Sequence, residues 1–308
     1  MFNNIKILVI GDIMLDHYIY GKVNRISPEA PVPVVEVQDE INMLGGCGNV
    51  IDNLYNLGIS VYLFSALGLD KHGQEILKIL NDMKIDTNSI YSSKKILTNY
   101  KMRIVANNQH VVRADWDNYE LDEEIIEYFS VNIPNIIDNV DGIIVSDYSK
   151  GVCSRQLVQQ VISLGTDRNK PVFIDPKGKD WIKYSGGTFI TPNAKEVSLI
   201  LNKEIKTDDD FINSGIDIIE KYNIKNCLIT RGSEGMVFIN KNKSFFIQSK
   251  AHEVFDVSGA GDTVISCLAA SILQGKAIKE SVEFANKAAG IVVGHIGTFA
   301  ITLEELDL

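Results

Sequence analysis

The sequence predicts an α/β fold: a mostly parallel central sheet covered by helices on both faces, with a small antiparallel sheet beside it. Short β-rich runs alternate with amphipathic helical stretches along the chain. The β-rich runs are continuously apolar, as in strands buried on both faces. Two further segments are strand-like with alternating patterning, yet no helix separates their strands.

Ile5 to Ile10 is the first such run and ends at the polar turn Gly11-Asp12. Val61 to Ala66, Gly142 to Ser146, Val172 to Ile174, Thr188 to Thr191 and Cys227 to Thr230 repeat the form. Helical periodicity fills the gaps, for example over Asn49 to Leu57, Gly73 to Met83 and Ser154 to Leu164. Ligands of parallel sheets collect at the carboxyl ends of the strands. Asp12, Asp147, Asp175, Asn193 and Arg231, each just past a strand, therefore carry extra weight. The exceptional segments are Asp16 to Gln38 and Thr98 to Asp115. Three of the seven prolines (Pro28, Pro31, Pro33) fall in the first, which suits edge strands and turns. No repeat, low-complexity stretch or linker is evident, so residues 1–308 are expected to form one core domain with this appendage.

With 45% hydrophobic and 23% charged residues, the 308-residue chain has an ordinary globular composition and length enough for a large core. Its net charge of −10 argues against sequence-independent nucleic-acid binding, which needs a basic footprint. The four cysteines, Cys47, Cys153, Cys227 and Cys267, are scattered without CxxC spacing, which argues against zinc and for a reducing compartment. The N-terminal apolar run is too short for a signal peptide, and the longest apolar stretch, Val264 to Leu273, is too short to span a membrane. A cytoplasmic protein is expected. The five histidines (His17, His72, His110, His252, His295) show no metal-ligand spacing.

The strongest chemical signal is Asp256-Val257-Ser258-Gly259-Ala260-Gly261-Asp262, leading into an apolar helix from Thr263. A small-residue turn at a helix start offers free N–H groups that bind anions, aided by the helix dipole. Phosphoryl transfer needs such a cradle, with a carboxylate beside it to take the proton of the attacking hydroxyl. Asp262 occupies that place. The plainer alternative is an aspartate that stabilises a helix N-terminus.

The run resembles the signature of the ribokinase-like (PfkB) family of sugar kinases, and the resemblance extends over essentially the whole chain. It implies a three-layer sandwich with a β lid formed by about residues 12–40 and 95–115, and use of ATP and Mg2+. It implies that Asp262 is the catalytic base and that Gly259, Ala260 and Gly261 form the anion hole. Gly45-Gly46 and Asn49 match the family's N-terminal signature, where backbone approaches the sugar; a plain turn and helix start is the alternative. Asn193 and Glu196 match an Asn-x-x-Glu motif that organises magnesium and the triphosphate; an N-cap and a surface glutamate is theirs. Thr230, Gly232 and Gly235 match a loop that cradles the nucleotide, where a hairpin turn would serve as well. Asn286 is expected on the nucleotide side too, and Asp256 at the metal through water or as a loop cap.

Longer runs narrow the resemblance to bacterial D-glycero-β-D-manno-heptose 7-phosphate kinases. They are Arg25 to Val34, Gly11 to Asp16, Asn107-Asn108-Gln109, Ser146 to Gly151, Asp175 to Gly178 and Ile190 to Asn193. Departures from that group's pattern are Cys47-Gly48 for two small residues, commonly alanines, Ser258 for threonine and Ala114 for leucine. The last puts the detail of lid packing in doubt. In that group the kinase stands alone or forms the N-terminal half of a bifunctional protein with an adenylyltransferase. The chain stops near the kinase boundary, so the second activity is not expected. The implied reaction is phosphorylation of the C1 hydroxyl of a sugar that already carries a phosphate. Such a substrate requires cations beyond those used for ATP. Lys101, Arg103, Arg113 and Lys177 are the candidates, each with surface exposure as its alternative. Asp12 and Asp16 would accept from sugar hydroxyls, and His17 and His110 fall on the lid segments. Apolar lid residues (Val32, Val34, Val35, Ile104, Val111, Val112) call for cover from water, and since lids of two subunits commonly pair in the family resembled, the resemblance implies a homodimer joined through the lids. Rival readings are a ribokinase-like kinase of another sugar or sugar phosphate, and an inactive sugar or nucleotide sensor. The intact Asp262, Gly-Ala-Gly turn and Asn193/Glu196 pair argue against the sensor.

Overall fold

A computed structural model describes residues 2, 4–107, 109–117, 123–251, 254–295 and 297–306; Asn108 and His252 lie outside the described residues. The chain runs β1 (Lys6–Gly11), β2 (Ile13–Ile26), β3 (Pro33–Gly46), α1 (Cys47–Asn56), β4 (Ser60–Gly68), α2 (Lys71–Asp82), β5 (Ile90–Ser93), β6 (Asn99–Ala106) and β7 (Gln109–Trp116). It continues through α3 (Glu123–Ile137), β8 (Gly142–Ser146), α4 (Arg155–Asp167), β9 (Val172–Asp175), β10 (Phe189–Ile190), α5 (Ala194–Leu201) and α6 (Asp208–Tyr222). The last elements are β11 (Asn226–Thr230), β12 (Met236–Asn240), β13 (Ser244–Ile247), α7 (Ala260–Leu273) and α8 (Ile278–Val292).

The central sheet has nine strands in the order β13-β12-β11-β10-β9-β8-β1-β4-β5. Neighbours from β5 to β11 pair in parallel, and β12 and β13 add an antiparallel edge. The strands read as continuous apolar runs because both faces are covered. In β1, Ile7 and Val9 pack with α1, α2, α7 and α8, while Leu8 and Ile10 pack with α3, α4, α5 and α6. Phe173 and Leu228 go to the first face, Val172, Ile174, Cys227 and Ile229 to the second. The result is a three-layer sandwich. From β1 the sheet grows both ways, to β4 on one side and β8 on the other. Such a point of reversal opens a crevice at the carboxyl ends of the strands, here marked by Asp12, Asp147 and Asp175.

A second, four-stranded sheet has the order β3-β2-β6-β7. It consists of two antiparallel pairs, β2 with β3 and β6 with β7, joined by a parallel pairing of β2 with β6. Both hairpins leave the core in the same sense, which makes their shared pairing parallel. This lid begins one residue past Asp12 and runs to Gly46, further than the segment 12–40 expected from sequence. Asp16 lies in register with Lys101, and Tyr18 with Arg103. With the two-residue alternation of strands, these side chains share one face.

Candidate active site

Asp262 lies in the first turn of α7 and is buried, at 2% exposure. Its Oδ2 accepts from Asn49 Nδ2 at 2.9 Å and its Oδ1 from the Tyr148 hydroxyl at 2.7 Å. Burial raises the carboxyl to about 6, against the lowering effect of these two donors. Each oxygen keeps a further lone pair for a substrate hydroxyl. Gly259 caps α7 at φ 78°, in the left-handed region. A Cβ there would collide with Asn49 Nδ2. Gly261, in contrast, would place a Cβ in open space. The start of a helix leaves N–H groups without intrahelical acceptors. Ala260 N–H reaches back to Val257 O at 3.3 Å. The turn and carboxylate are therefore arranged as an anion cradle beside a buried acceptor of protons.

Asn49, expected at the sugar, orients Asp262 and bonds weakly to Gly259 O at 3.5 Å. Asp12, expected to accept from sugar hydroxyls, also has a structural task. Its carboxylate accepts from the N–H groups of Tyr148, Lys150 and Val152 at 2.9, 3.0 and 2.9 Å. At 1% exposure it staples the loop after β8 to the end of β1, and its acceptor sites face that loop. Burial, with Asp147 next, raises it to about 6 in spite of those bonds. Asp147 is held likewise by Tyr184 Oη at 2.6 Å, Ser149 N–H at 2.7 Å and the Lys183 ammonium. Asp12, Asp147 and Cys153 have ligand atoms within 4.8 Å of one another, but protein donors already occupy the carboxylate oxygens.

On the lid's inner face, Asp16 pairs with Arg103 at 2.7 Å, and the guanidinium lies 5.0 Å from the Tyr18 ring centre. Gly45 and Gly46 make room for this arrangement. A Cβ on Gly45 would meet Asp16 Oδ2 at 2.6 Å, and one on Gly46, at φ 60°, would strike the Asp12 carbonyl. Lys101 reaches to 5.7 Å from the Tyr148 ring centre, and its charge opposes the rise of the Asp262 pKa. Burial pulls Lys101 itself down. Among the described residues Lys101 forms no ion pair, which makes it the available cation of the cleft. Arg113 lies at the rim, half-exposed, and is paired with Asp115 at 2.9 Å. His17 bonds Tyr100 and Glu40 at 2.6 and 3.1 Å, and His110 stands 3.8 Å from Asp256.

At the other end of the crevice, Asn193 and Glu196 form a reciprocal capping box on α5, with both bonds at 3.0 Å. Lys177 binds the free oxygen of Glu196 at 2.6 Å, which places it with these residues and not with the lid. Burial works against its charge, but Glu196 and Asp175 raise its pKa overall. Asp175 is pushed well up by burial, then by the charges of Asp262 and Glu196. Crowded carboxyl oxygens of this kind suit a hard divalent cation, which takes oxygen ligands. Asp256 accepts from Ser258 and Gly297 N–H at 2.9 and 3.0 Å, so both of its oxygens brace the loop before α7. Thr230 bridges to Asn193, and Gly232 and Gly235 turn the following loop at φ 61° and 89°. Asn286 is buried and donates to Gln248 O at 2.8 Å, tying α8 to the segment after β13. Tyr148 is the residue that sequence reasoning left without a role. Its position one residue beyond Asp147, at a strand end, was the available signal.

Residues 4–305 match the pfkB family carbohydrate kinase. The fold and the cradle with its carboxylate agree with that match, and the chain belongs to this family of carbohydrate kinases. Among its relatives is a bifunctional protein HldE of Helicobacter acinonychis, 40% identical over 98% of this chain and 66% of that protein. Another is a bifunctional protein HldE of Aliarcobacter butzleri, 41% identical over 98% of this chain and 63% of that protein. The chain thus spans about two thirds of the length of these relatives. The fold is shared with phosphofructokinase-2 from Escherichia coli (TM-score 0.81, 16% identity, 98% and 97% of the two chains). It is also shared with ribokinase from Arabidopsis thaliana (TM-score 0.76, 19% identity, 98% and 97%).

Gly259→Ala and Gly261→Ala should move stability in opposite directions. The first forces a side chain into the left-handed region, at about 1–2 kcal/mol, and displaces Asn49. The second gains roughly 0.5–1 kcal/mol as alanine replaces glycine within a helix. Urea melts of both variants check this, and equal midpoints would contradict it.

Proposed function

We propose that the chain transfers the terminal phosphoryl group of ATP to the C1 hydroxyl of D-glycero-β-D-manno-heptose 7-phosphate, giving the 1,7-bisphosphate. The observation that carries the kinase chemistry is the buried Asp262 carboxylate at the start of α7, held from both sides by Asn49 and Tyr148. The sugar phosphate is supported by the sequence runs described above, by relatives at 40–41% identity, and by Lys101, a cation of the cleft available to a second phosphate.

In this reading the sugar enters under the lid, with Asp16 and the Gly45-Gly46 backbone beside its hydroxyls. Asp262 takes the proton of the C1 hydroxyl as its oxygen bonds to the γ-phosphorus, and the bond to the β–γ bridging oxygen breaks to release ADP. The turn Gly259 to Gly261 receives the negative charge of the moving phosphoryl group. Magnesium bound with the triphosphate would neutralise phosphate charge, and we assign Glu196, Asn193 and Asp175 as the oxygen donors that would hold it, directly or through water. Thr230 and the loop with Gly232 and Gly235 lie on the nucleotide side. We include in the proposal a cytoplasmic location and a homodimer joined through the lids. No helix among the described residues is long and apolar enough to cross a membrane. Ile26, Val32, Val37 and Val112 are each at least half exposed on the lid, an apolar surface that a second lid would cover.

ADP release measured with a panel of sugars tests the substrate. We expect turnover with heptose 7-phosphate; turnover with ribose or fructose 6-phosphate and none with the heptose would overturn the assignment. Asp262→Asn should lose about 10²–10⁴-fold in kcat while ATP still binds, and undiminished turnover would remove Asp262 from the base role. The base works only when ionised. With its carboxyl at about 6, kcat/KM should fall about tenfold per unit as pH drops below that value. Light scattering at micromolar protein should give the mass of a dimer, and a monomer would count against pairing of the lids.

A further inference from the structure

Tyr148 lies in the loop after β8, outside every strand and helix, yet its hydroxyl reaches Oδ1 of Asp262 in α7 at 2.7 Å. Its backbone is fixed as firmly as its side chain. Its N–H, with those of Lys150 and Val152, is bound by the buried Asp12 carboxylate. A chain of contacts thus leads from the end of β1, through the loop after β8, to the first turn of α7. We propose that Tyr148 is a positioning residue for the reaction: its phenol, locked by the Asp12 staple, holds the Asp262 carboxylate in the orientation from which it takes the acceptor's proton. This rests on the reading of Asp262 as the base.

The geometry separates this role from simple packing. Asn49 fixes Oδ2 and Tyr148 fixes Oδ1, so the plane of the carboxylate is set by donors on opposite sides. With Asn49 alone, the group could turn about its Cβ–Cγ bond. Burial and the charge of Asp262 push the Tyr148 hydroxyl well above its ordinary range, so it stays protonated and remains a donor. During the reaction the acceptor's proton passes to Asp262, and the phenol keeps its own. The other groups that face Asp262 are Asp16 from β2, Lys101 from β6, Asp175 at the end of β9 and the Cys47 thiol of α1. Asp16 raises the Asp262 carboxyl and Lys101 lowers it. Asp16, once ionised, has no proton to donate, and Lys101 acts on Asp262 through its charge, whereas the phenol donates a hydrogen bond to the ionised form.

The test is the pH profile of kcat/KM for Tyr148→Phe. The phenylalanine ring keeps the packing and loses the donor. A hydrogen bond to a charged group corresponds to roughly one pKa unit. The acidic limb should therefore move up by about one pH unit, with about a tenfold loss of kcat and unchanged ATP affinity. A purely structural tyrosine would lower the melting temperature and leave the limb in place, and an unmoved limb overturns the proposal. If the variant does not fold, 3-fluorotyrosine at position 148 keeps the ring and the hydroxyl but makes a stronger donor. The limb should then move down, and again no movement overturns the proposal. Asp262→Asn separates the two readings. If it retains turnover, the base assignment fails and this inference with it. If it is inactive while the Tyr148→Phe limb stays put, only the role of Tyr148 fails.

Discussion

The site depends on one carboxylate that faces protein and not ligand. Asp12 binds three successive-but-one backbone N–H groups of the loop after β8 and so joins the ends of two adjacent parallel strands. Parallel strands end in loops that have no ladder partners of their own, and buried N–H groups left unpaired there cost about 1–3 kcal/mol each. Asp12 satisfies several at once. The cost falls on Asp12 itself, whose carboxyl is raised to about 6 by burial and by Asp147. The fold tolerates that cost because the same staple defines where Tyr148 stands. It also brings the carbonyl of Asp12 within reach of Cys47 N–H at 3.0 Å, so that α1 starts directly at the crevice. Asn49 is then two residues into α1, and both supports of Asp262 trace back to one residue.

The second constraint is charge. Asp16, Asp147, Asp175, Glu196 and Asp262 all lie along one crevice, and for Asp175 and Asp262 burial lifts the carboxyl. Lys183 answers Asp147, Arg103 answers Asp16 and Lys177 answers Glu196. Among the described residues Asp175 and Asp262 form no ion pair, and Lys177 and Lys101 act on them through charge alone. The negative charge left over is concentrated where the phosphate donor and its cation are proposed to bind, between α5 and the start of α7. A site of that kind is unfavourable until a cation enters it, which ties the binding of metal and triphosphate to the state of the two carboxyls.

Much of this architecture was legible in the sequence, for a physical reason. Strands buried on both faces must be continuously apolar, so Ile7 to Ile10, Ile143 to Val145 and Cys227 to Ile229 announce themselves. The Gly-Ala-Gly turn before an apolar helix announces α7 in the same way. Individual polar roles were harder to see, because they depend on which lone pairs are already filled. Asp12 directly follows β1 and Asp16 falls four residues later, but only the fold shows that the first binds three backbone N–H groups. Asn49 reads as a sugar ligand, and only the fold shows that it also donates to Asp262, far away in sequence. Asp256 and Asn286 look available in the sequence, and they prove to brace a loop and a strand end. Arg113 and Lys177 each carry a charge suited to phosphate, yet close carboxylates already claim them. Lys101 was one of four candidates, and it stands apart because it forms no ion pair among the described residues.

The same accounting explains why the lid and the phosphate cradle cannot be treated as separate parts. Tyr18, on the inner face of the lid, lies against Gly297, where a Cβ would come within 3.3 Å of its ring. Gly297 N–H in turn binds Asp256, whose other oxygen binds Ser258 N–H, immediately before Gly259. His110 of β7 approaches Asp256 from the lid side at 3.8 Å, and Thr298 meets Met43 of β3 at 3.9 Å. β2 and β7 are thereby connected to the turn that opens α7 within a few contacts. Coupling by packed groups needs such a contiguous path between discrete elements. Here the path is short because Asp256 spends one oxygen on the N–H of Ser258, beside Gly259, and the other on that of Gly297, beneath the lid.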